Sequence, residues 1–191
     1  MVLVPSPCLP PRFLFLSWYK NNAVDFSRLQ IAVDVFLFAS QYTDVATLFV
    51  LSKYSSGSSY FYPGFFAPRD GEKFEKDLNQ CLTRATGFEA VMRVRATRGI
   101  RIAGFYGNYF VRGTDLLALP NCHSDSTFAM DLAYDEQTLL ASAVTVQAAL
   151  LYTTSSGERR IRVHTMVLPV VQVTKFQYFL AHVCSLIIFT C

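Results

Sequence analysis

Arg93 and Arg95, on alternate positions of the string Met92-Arg93-Val94-Arg95, are the residues of this chain best placed to do chemistry. In an extended strand the side-chain period of two sends both guanidiniums to one face, about 7 Å apart at roughly 3.3 Å per residue. Forks at that spacing suit carboxylates, because each guanidinium can bond one bidentately. They belong to a longer basic stretch. Between Glu89 and Asp115 stand Arg93, Arg95, Arg98, Arg101 and Arg112, with no acid among them. The same pattern also fits the solvated outer face of a sheet. A third reading is single-stranded nucleic acid, with Tyr106, Tyr109 and Phe110 as stacking platforms. A formal net charge of +3 is small for that class. Glu158-Arg159-Arg160-Ile161-Arg162 opens a second basic strand, which by itself reads as surface.

Patterns for catalysis are missing. The chain holds no G-x-S-x-G elbow, no P-loop, no G-x-G-x-x-G and no H-E-x-x-H. His123 falls in an expected loop, His164 in a strand between Arg162 and Met166, and His182 in an apolar tail. Asp34 on an apolar strand could be a metal or switch residue, but Val35 and Phe36 follow where a D-x-S-x-S motif needs serine. A capped or edge-facing aspartate is the expectation. Cys8, Cys81, Cys122, Cys184 and Cys191 are spread out, odd in number and never form C-x-x-C. That points to a reducing compartment and away from a zinc site or a disulfide framework. The sequence predicts a protein that binds and needs no cofactor.

Two kinds of element must position the arginines. From residue 20 the pattern alternates between strand and helix. Ile31–Phe38, apolar on both faces apart from Asp34, suits an inner strand of a parallel sheet. Asp44 reads as the N-cap of a helix over Val45–Lys53, stopped by Ser55-Ser56-Gly57. Ser59–Tyr62 is a short aromatic strand halted by Pro63-Gly64. Glu72–Arg84 places Phe74, Leu78 and Cys81/Leu82 on one stripe of a helix. This is α/β grammar. After Gly87 it changes to six candidate strands: Phe88–Arg95, Ile100–Phe105, Tyr109–Arg112, Thr127–Tyr134, Ala141–Thr154 and Arg159–Leu168. Thr127–Tyr134 alternates cleanly, with Phe128, Met130, Leu132 and Tyr134 on one side. Thr154-Ser155-Ser156-Gly157-Glu158 is a hairpin turn with a glycine free to take positive φ. An antiparallel sandwich or barrel follows.

Composition separates the ends from the middle. The chain has 191 residues, 52% hydrophobic and 16% charged, against about 25% charged in an ordinary soluble domain. Only Arg12 and Lys175 among the charged residues lie outside residues 20–169. The uncharged run Phe176–Cys191 falls short of the roughly 20 residues that span a bilayer. Phe13–Leu16, crowded by Pro5, Pro7, Pro10 and Pro11, is a poor signal-peptide core. A pI near 8.6 without a polybasic block excludes an acidic tail and a charge-driven nucleic-acid binder.

Several strings together resemble one family. Gly87-Phe-Glu-Ala-Val-Met-Arg-Val-Arg95, Phe105-Tyr-Gly-Asn-Tyr-Phe-Val-Arg112 with Thr114-Asp-Leu-Leu117, and Gly157-Glu-Arg-Arg-Ile-Arg-Val163 closely resemble the Sec-twenty-four family. So do Ala32-Val-Asp-Val-Phe-Leu-Phe-Ala-Ser-Gln-Tyr-Thr-Asp44, Lys53-Tyr54 and Tyr60-Phe-Tyr-Pro63 upstream. That family is the cargo-selecting inner-coat subunit of coat protein complex II (COPII), and the likeness covers about residues 19–171 in order and spacing. It implies the C-terminal part of a von Willebrand A-like α/β trunk at 19–86 and an antiparallel β-sandwich at 87–169. Residues 1–18 and the apolar tail 170–191 are expected to be divergent, translated from intron or mis-joined exon sequence.

The resemblance further implies a non-enzymatic cytoplasmic adaptor that pairs with the Sec-twenty-three subunit. A small Sar-family GTPase would recruit the pair, peripherally, to endoplasmic reticulum membrane and COPII vesicles, and cytosolic tails of membrane cargo would be its ligands. The family's acidic-signal pocket maps onto Arg93, Arg95 and, through the Val146–Leu151 run, Leu151. Gly113 stands where the family usually has serine, which leaves that mapping intact. The family's zinc finger has no counterpart in the sequence, so no metal is expected. The partner Sec-twenty-three subunit shares the fold, but the basic strings favour the cargo subunit.

Overall fold

A computed structural model describes residues 11–135, 141–170 and 186–190, with the backbone alone at 11–15 and 186–190. The first part is α/β. Helix α1 (Pro11–Arg28) leads to β1 (Val35–Ala39), α2 (Val45–Leu48), α3 (Val50–Ser55), β2 (Ser59–Pro63) and α4 (Ala67–Thr83). Strands β1 and β2 run parallel, in register from Val35↔Ser59 to Ala39↔Pro63. Their aromatics hold the layers together. Phe36 stacks on Tyr60 at 4.5 Å and Phe38 on Tyr62 at 5.1 Å. Phe74 of α4 meets Phe36 and Phe38 edge-on at 5.9 and 5.0 Å, the offset geometry that ring quadrupoles favour.

Several sequence expectations need correction here. The strand expected from Ile31 begins only at Val35, and among the described residues it pairs with β2 alone. Ile31 N–H is held by the Phe26 carbonyl at 2.8 Å, and the two residues just before the strand are taken up by side-chain bonds. Val33 N–H donates to Ser55 Oγ at 3.0 Å, and Asp34 Oδ1 accepts from Ser58 N–H at 2.6 Å. Asp44 does cap its helix, accepting from Thr47 N–H at 3.3 Å and Thr47 Oγ1 at 2.8 Å. That helix is broken at Phe49 into α2 and α3, and it ends on Ser56 in the left-handed region at φ 61°. Helix α4 starts at Ala67, not Glu72, because Asp70 Oδ2 reaches back to Phe66 N–H at 2.9 Å and satisfies an orphan donor. Helix α1 was not expected at all. It packs on α3, with Ala23 and Ser27 fully buried.

The second part is a sandwich of two antiparallel sheets. Strands β3 (Thr86–Ala96), β4 (Ile100–Tyr106), β5 (Phe110–Arg112), β6 (Leu116–His123), β7 (Thr127–Tyr134), β8 (Ala143–Thr153), β9 (Arg159–Pro169) and β10 (Leu186–Thr190) form it. One sheet has the order β5-β6-β3-β8-β9, the other β10-β7-β4. Met92, Val94, Leu117, Leu119, Val146, Ala148 and Leu150 from the larger sheet meet Phe128 and Met130 from the smaller in one buried cluster. The turn between β8 and β9 carries Gly157 at φ 85°, as the hairpin required.

Two strands escaped the sequence reading. The first is β6, nearly all buried, and it places His123 on a strand instead of in a loop. The second is β10, which lies in the expected divergent tail and pairs with β7 from Leu186↔Asp131 to Thr190↔Thr127. Cys184 and His182 lie outside the described residues. No helix among the described residues is long and apolar enough to cross a membrane.

The centre of the larger sheet is not regular. Glu89 takes φ 49°, and the β3–β8 register slips by one residue between Phe88↔Thr153 and Val91↔Leu151. This is a β-bulge. Against β6 the register continues from Phe88↔Asn121 to Ala90↔Leu119, so Pro120 falls opposite Glu89. The Val94–Asp115 bond points the odd-numbered residues of β6 at β3, so Pro120 faces the other side, where β5 pairs only with residues 116–118 and its missing N–H costs no ladder bond.

Tyr109 carries a pH prediction. It is 5% exposed, its hydroxyl makes no hydrogen bond of ordinary geometry, and burial pushes its phenol up to about 12. A folded-state value above the usual 10.0 means that this group's stabilisation is complete below pH 10.0 and is lost as pH rises through about 12. Tyr109→Phe is expected to raise stability by about 1 kcal/mol at neutral pH, since a buried unpaired hydroxyl costs about 1–3 kcal/mol. It is also expected to blunt the alkaline loss. Thermal melts of both proteins from about pH 8 to about pH 11 check this, and equal alkaline losses would refute it.

Candidate functional site

The period of two in β3 decides where the arginines go. Ala90, Met92 and Val94 point into the core, so Val91, Arg93 and Arg95 face outward. The neighbouring strands complete the outer face. Across β8, Val91 stands opposite Leu151, Arg93 opposite Ala149 and Arg95 opposite Gln147. Leu151 is therefore the diagonal neighbour of Arg93, about 7 Å away by sheet geometry. On β9, Leu151 pairs with Ile161 and Ala149 with Val163. These two side chains are 71% and 52% exposed. An aliphatic strip of Val91, Leu151, Ile161 and Val163 thus runs beside a pair of guanidiniums.

The sequence reading missed the acid at the centre of this face. Asp115 Oδ2 lies 3.3 Å from Arg93 Nε and 3.5 Å from Arg95 Nε. The β5–β6 hairpin brings it there, and its carbonyl accepts the Val94 N–H at 3.2 Å. The arginine side chains remain 48% and 68% exposed, so each ion pair is worth about 0–1 kcal/mol. At the far edge of the strip Arg159 lies 3.5 Å from Glu89 and donates to Thr153 Oγ1 at 2.7 Å. Chemically, the face can pair the carboxylates of an extended segment with Arg93 and Arg95 while its apolar side chain lies on Leu151 and Ile161.

The other candidates do not join the Arg93–Arg95 pair. The second basic strand divides between faces: Arg159 lies on the side of Ile161 and Val163, whereas Arg160, paired with Glu158, and Arg162, over the Tyr152 ring at 6.0 Å, share the other. Arg101 lies 3.8 Å from Asp135. Asp34 binds the Ser58 amide and accepts from the Cys81 thiol at 3.2 Å. Burial, then that carboxylate, pushes the Cys81 thiol up. Burial, then Arg84, pushes His123 down. Among the described residues no group of three or more His, Cys, Asp or Glu could hold a metal. The stacking platform for nucleic acid fails because Tyr109 is a core residue packed 5.6 Å from Phe128. Tyr106, 54% exposed, is tied to Asp131 by a 2.6 Å hydrogen bond.

Comparison with known proteins fits this arrangement. The Sec23/Sec24 trunk domain matches residues 15–82, and the Sec23/Sec24 beta-sandwich domain matches residues 87–171. The chain is 54% identical over 157 residues to Protein transport protein Sec24B of Homo sapiens, covering 81% of this chain and 12% of that protein. It is 49% identical over 154 residues to Protein transport protein SEC24 A of Arabidopsis thaliana, covering 81% and 15%. The crystal structure of the human COPII-coat protein Sec24c superposes with a TM-score of 0.75 at 37% identity, over 79% of this chain and 20% of that one. The chain therefore spans between an eighth and a fifth of the length of these relatives.

Proposed function

Because the chain belongs to the Sec23/Sec24 family, we propose that it is a cofactor-free cargo-binding piece of a COPII coat adaptor, with a trunk portion at 19–86 and a sandwich at 87–169. Its ligands are acidic export signals on the cytosolic tails of membrane cargo. It works beside a Sec23-type subunit, peripherally on endoplasmic reticulum membrane, where a Sar-family GTPase recruits the pair. The observation that carries the ligand class is the outward pairing of Arg93 and Arg95 with Leu151 one rung away.

Binding of a labelled peptide with two acids and one apolar residue tests it. With the 191-residue chain, Arg93→Ala/Arg95→Ala is expected to weaken binding at least about tenfold, since each hydrogen bond to a charged group is worth about 1.5–3 kcal/mol. Equal affinity for wild type and double variant would defeat the assignment.

A further inference from the structure

We propose that a cleft on the inward side of the larger sheet, beside the β8–β9 turn, binds one acidic side chain of a partner protein on Arg162. The cleft encloses about 320 Å³, at the lower end of the roughly 300–1,000 Å³ of ligand pockets. Register places its charges. Arg162 pairs with Leu150 of β8, and Leu150 with the core residue Met92 of β3, so Arg162 shares their inward side, as does Arg160 two residues away. Arg93 and Arg95 face the other way. The ring of Tyr152 packs so closely on Gly87 that a Cβ there would lie 2.7 Å from its Cδ2. The Arg162 guanidinium lies over that ring, 6.0 Å from the centroid, a cation–π contact that holds the fork without using its N–H donors. Arg160 is already engaged by Glu158. Arg162 pairs with no acid among the described residues, and no acid lines the cleft. Ser124 and Ser155, from the β6–β7 and β8–β9 turns, line it with hydroxyls. One uncommitted guanidinium beside hydroxyls and an aromatic ring matches one carboxylate on an apolar stem, which is the chemistry of a Glu or Asp side chain. A phosphate dianion calls for a second free cation. Arg160 is taken, and burial, then Arg84, pushes His123 towards its neutral form. Two acidic segments can therefore occupy opposite sides of one sheet.

The test titrates a labelled peptide carrying one glutamate against the 191-residue Arg93→Ala/Arg95→Ala protein, whose outer face is disabled, with and without Arg162→Gln. Arg162 is exposed, so its exchange leaves the core intact. Arg162→Gln is expected to weaken binding at least about tenfold, the worth of one hydrogen bond to a charged group. Glutamine in place of the peptide's glutamate is expected to cost the Arg162 protein a similar factor. No binding to the Arg162 protein, equal affinity with Arg162→Gln, or equal binding of the neutral peptide overturns the inference. A phosphoserine peptide that binds more tightly than the glutamate peptide, through Arg162, overturns the carboxylate assignment. The outcome is separable from that of the outer-face reading. If the two-acid peptide weakens in Arg93→Ala/Arg95→Ala while the one-glutamate peptide ignores Arg162→Gln, the outer face stands and the cleft falls. In the reverse case the cleft stands and the outer face falls.

Discussion

Gly57→Ala is expected to destabilise the protein by about 3 kcal/mol or more, in the upper range for overpacking. A Cβ at this position would lie 1.9 Å from the Val33 carbonyl oxygen and 2.5 Å from its carbon. Both atoms are backbone, so no rotamer change can make room. The site is also a junction. Gly57 N–H donates to Ser52 O at 2.9 Å, its own carbonyl accepts from Asn108 Nδ2 at 3.1 Å, and Val33 N–H is held by Ser55 Oγ. Moving the backbone far enough for a methyl group would strain the end of α3, the approach to β1 and a contact with the sandwich at once. Urea melts check this, with Gly71→Ala as the control. A Cβ at Gly71, inside α4, would meet nothing within 4 Å, so that change is expected to be neutral or stabilising by about 0.5–1 kcal/mol. Equal melting of the two variants would sink the argument for close backbone approach.

Leu117→Ala is expected to cost about 3–4 kcal/mol, within the range for emptying a rigid core site. Leu117 is 0% exposed on an inner strand, opposite Met92 on one side and Val111 on the other. Both neighbours belong to hydrogen-bonded strands, which limits how far the site can collapse around the missing methyls. Against a total stability of about 5–15 kcal/mol, the loss should be plain by calorimetry. Leu82→Ala, at a position 74% exposed on α4, is expected to change stability by less than about 0.5 kcal/mol. A Leu117→Ala protein as stable as Leu82→Ala would mean that β6 does not form the centre of the sandwich.

What the sequence disclosed depended on which signals were local. Strand β7 was legible because polar and apolar residues alternate, and Phe128 and Met130 are indeed buried, although Tyr134 at the strand's end is 74% exposed. The β8–β9 hairpin was legible because Gly157 marks its turn. Strand β6 was hidden by its own burial: Leu116-Leu117-Ala118-Leu119 has no alternation, and Pro120 argues against an inner strand. Only the short reach of β5, which pairs with residues 116–118 and is a tertiary feature, makes that proline acceptable. Helix α1 was hidden because its apolar residues gather in no clear stripe, and the first turn of α4 because Pro68 and Gly71 look like breakers. The site divides in the same way. The shared facing of Arg93 and Arg95 follows from strand period alone. Asp115 follows only from the pairing of β6 with β3, so a reading along the chain placed it at the border of the basic stretch and not at its centre.

The bulge at Glu89 has a consequence for inheritance. Gly87 faces inward, Phe88 and Glu89 are both exposed, and the inward set resumes at Ala90, Met92 and Val94. Had the strand run regularly from Gly87, residues 89, 91, 93 and 95 would face the core and the guanidiniums would be buried in it. The outward orientation of the binding face thus depends on the bulge, which absorbs one extra residue between Gly87 and Ala90. Exchanging Phe88 or Glu89 leaves the phase of β3 intact, and losing either one would leave a single outward residue between Gly87 and Ala90, removing the bulge against β8 while Arg93 and Arg95 stay outward. A single deletion between Ala90 and Arg93 has no such slack and would turn both guanidiniums inward.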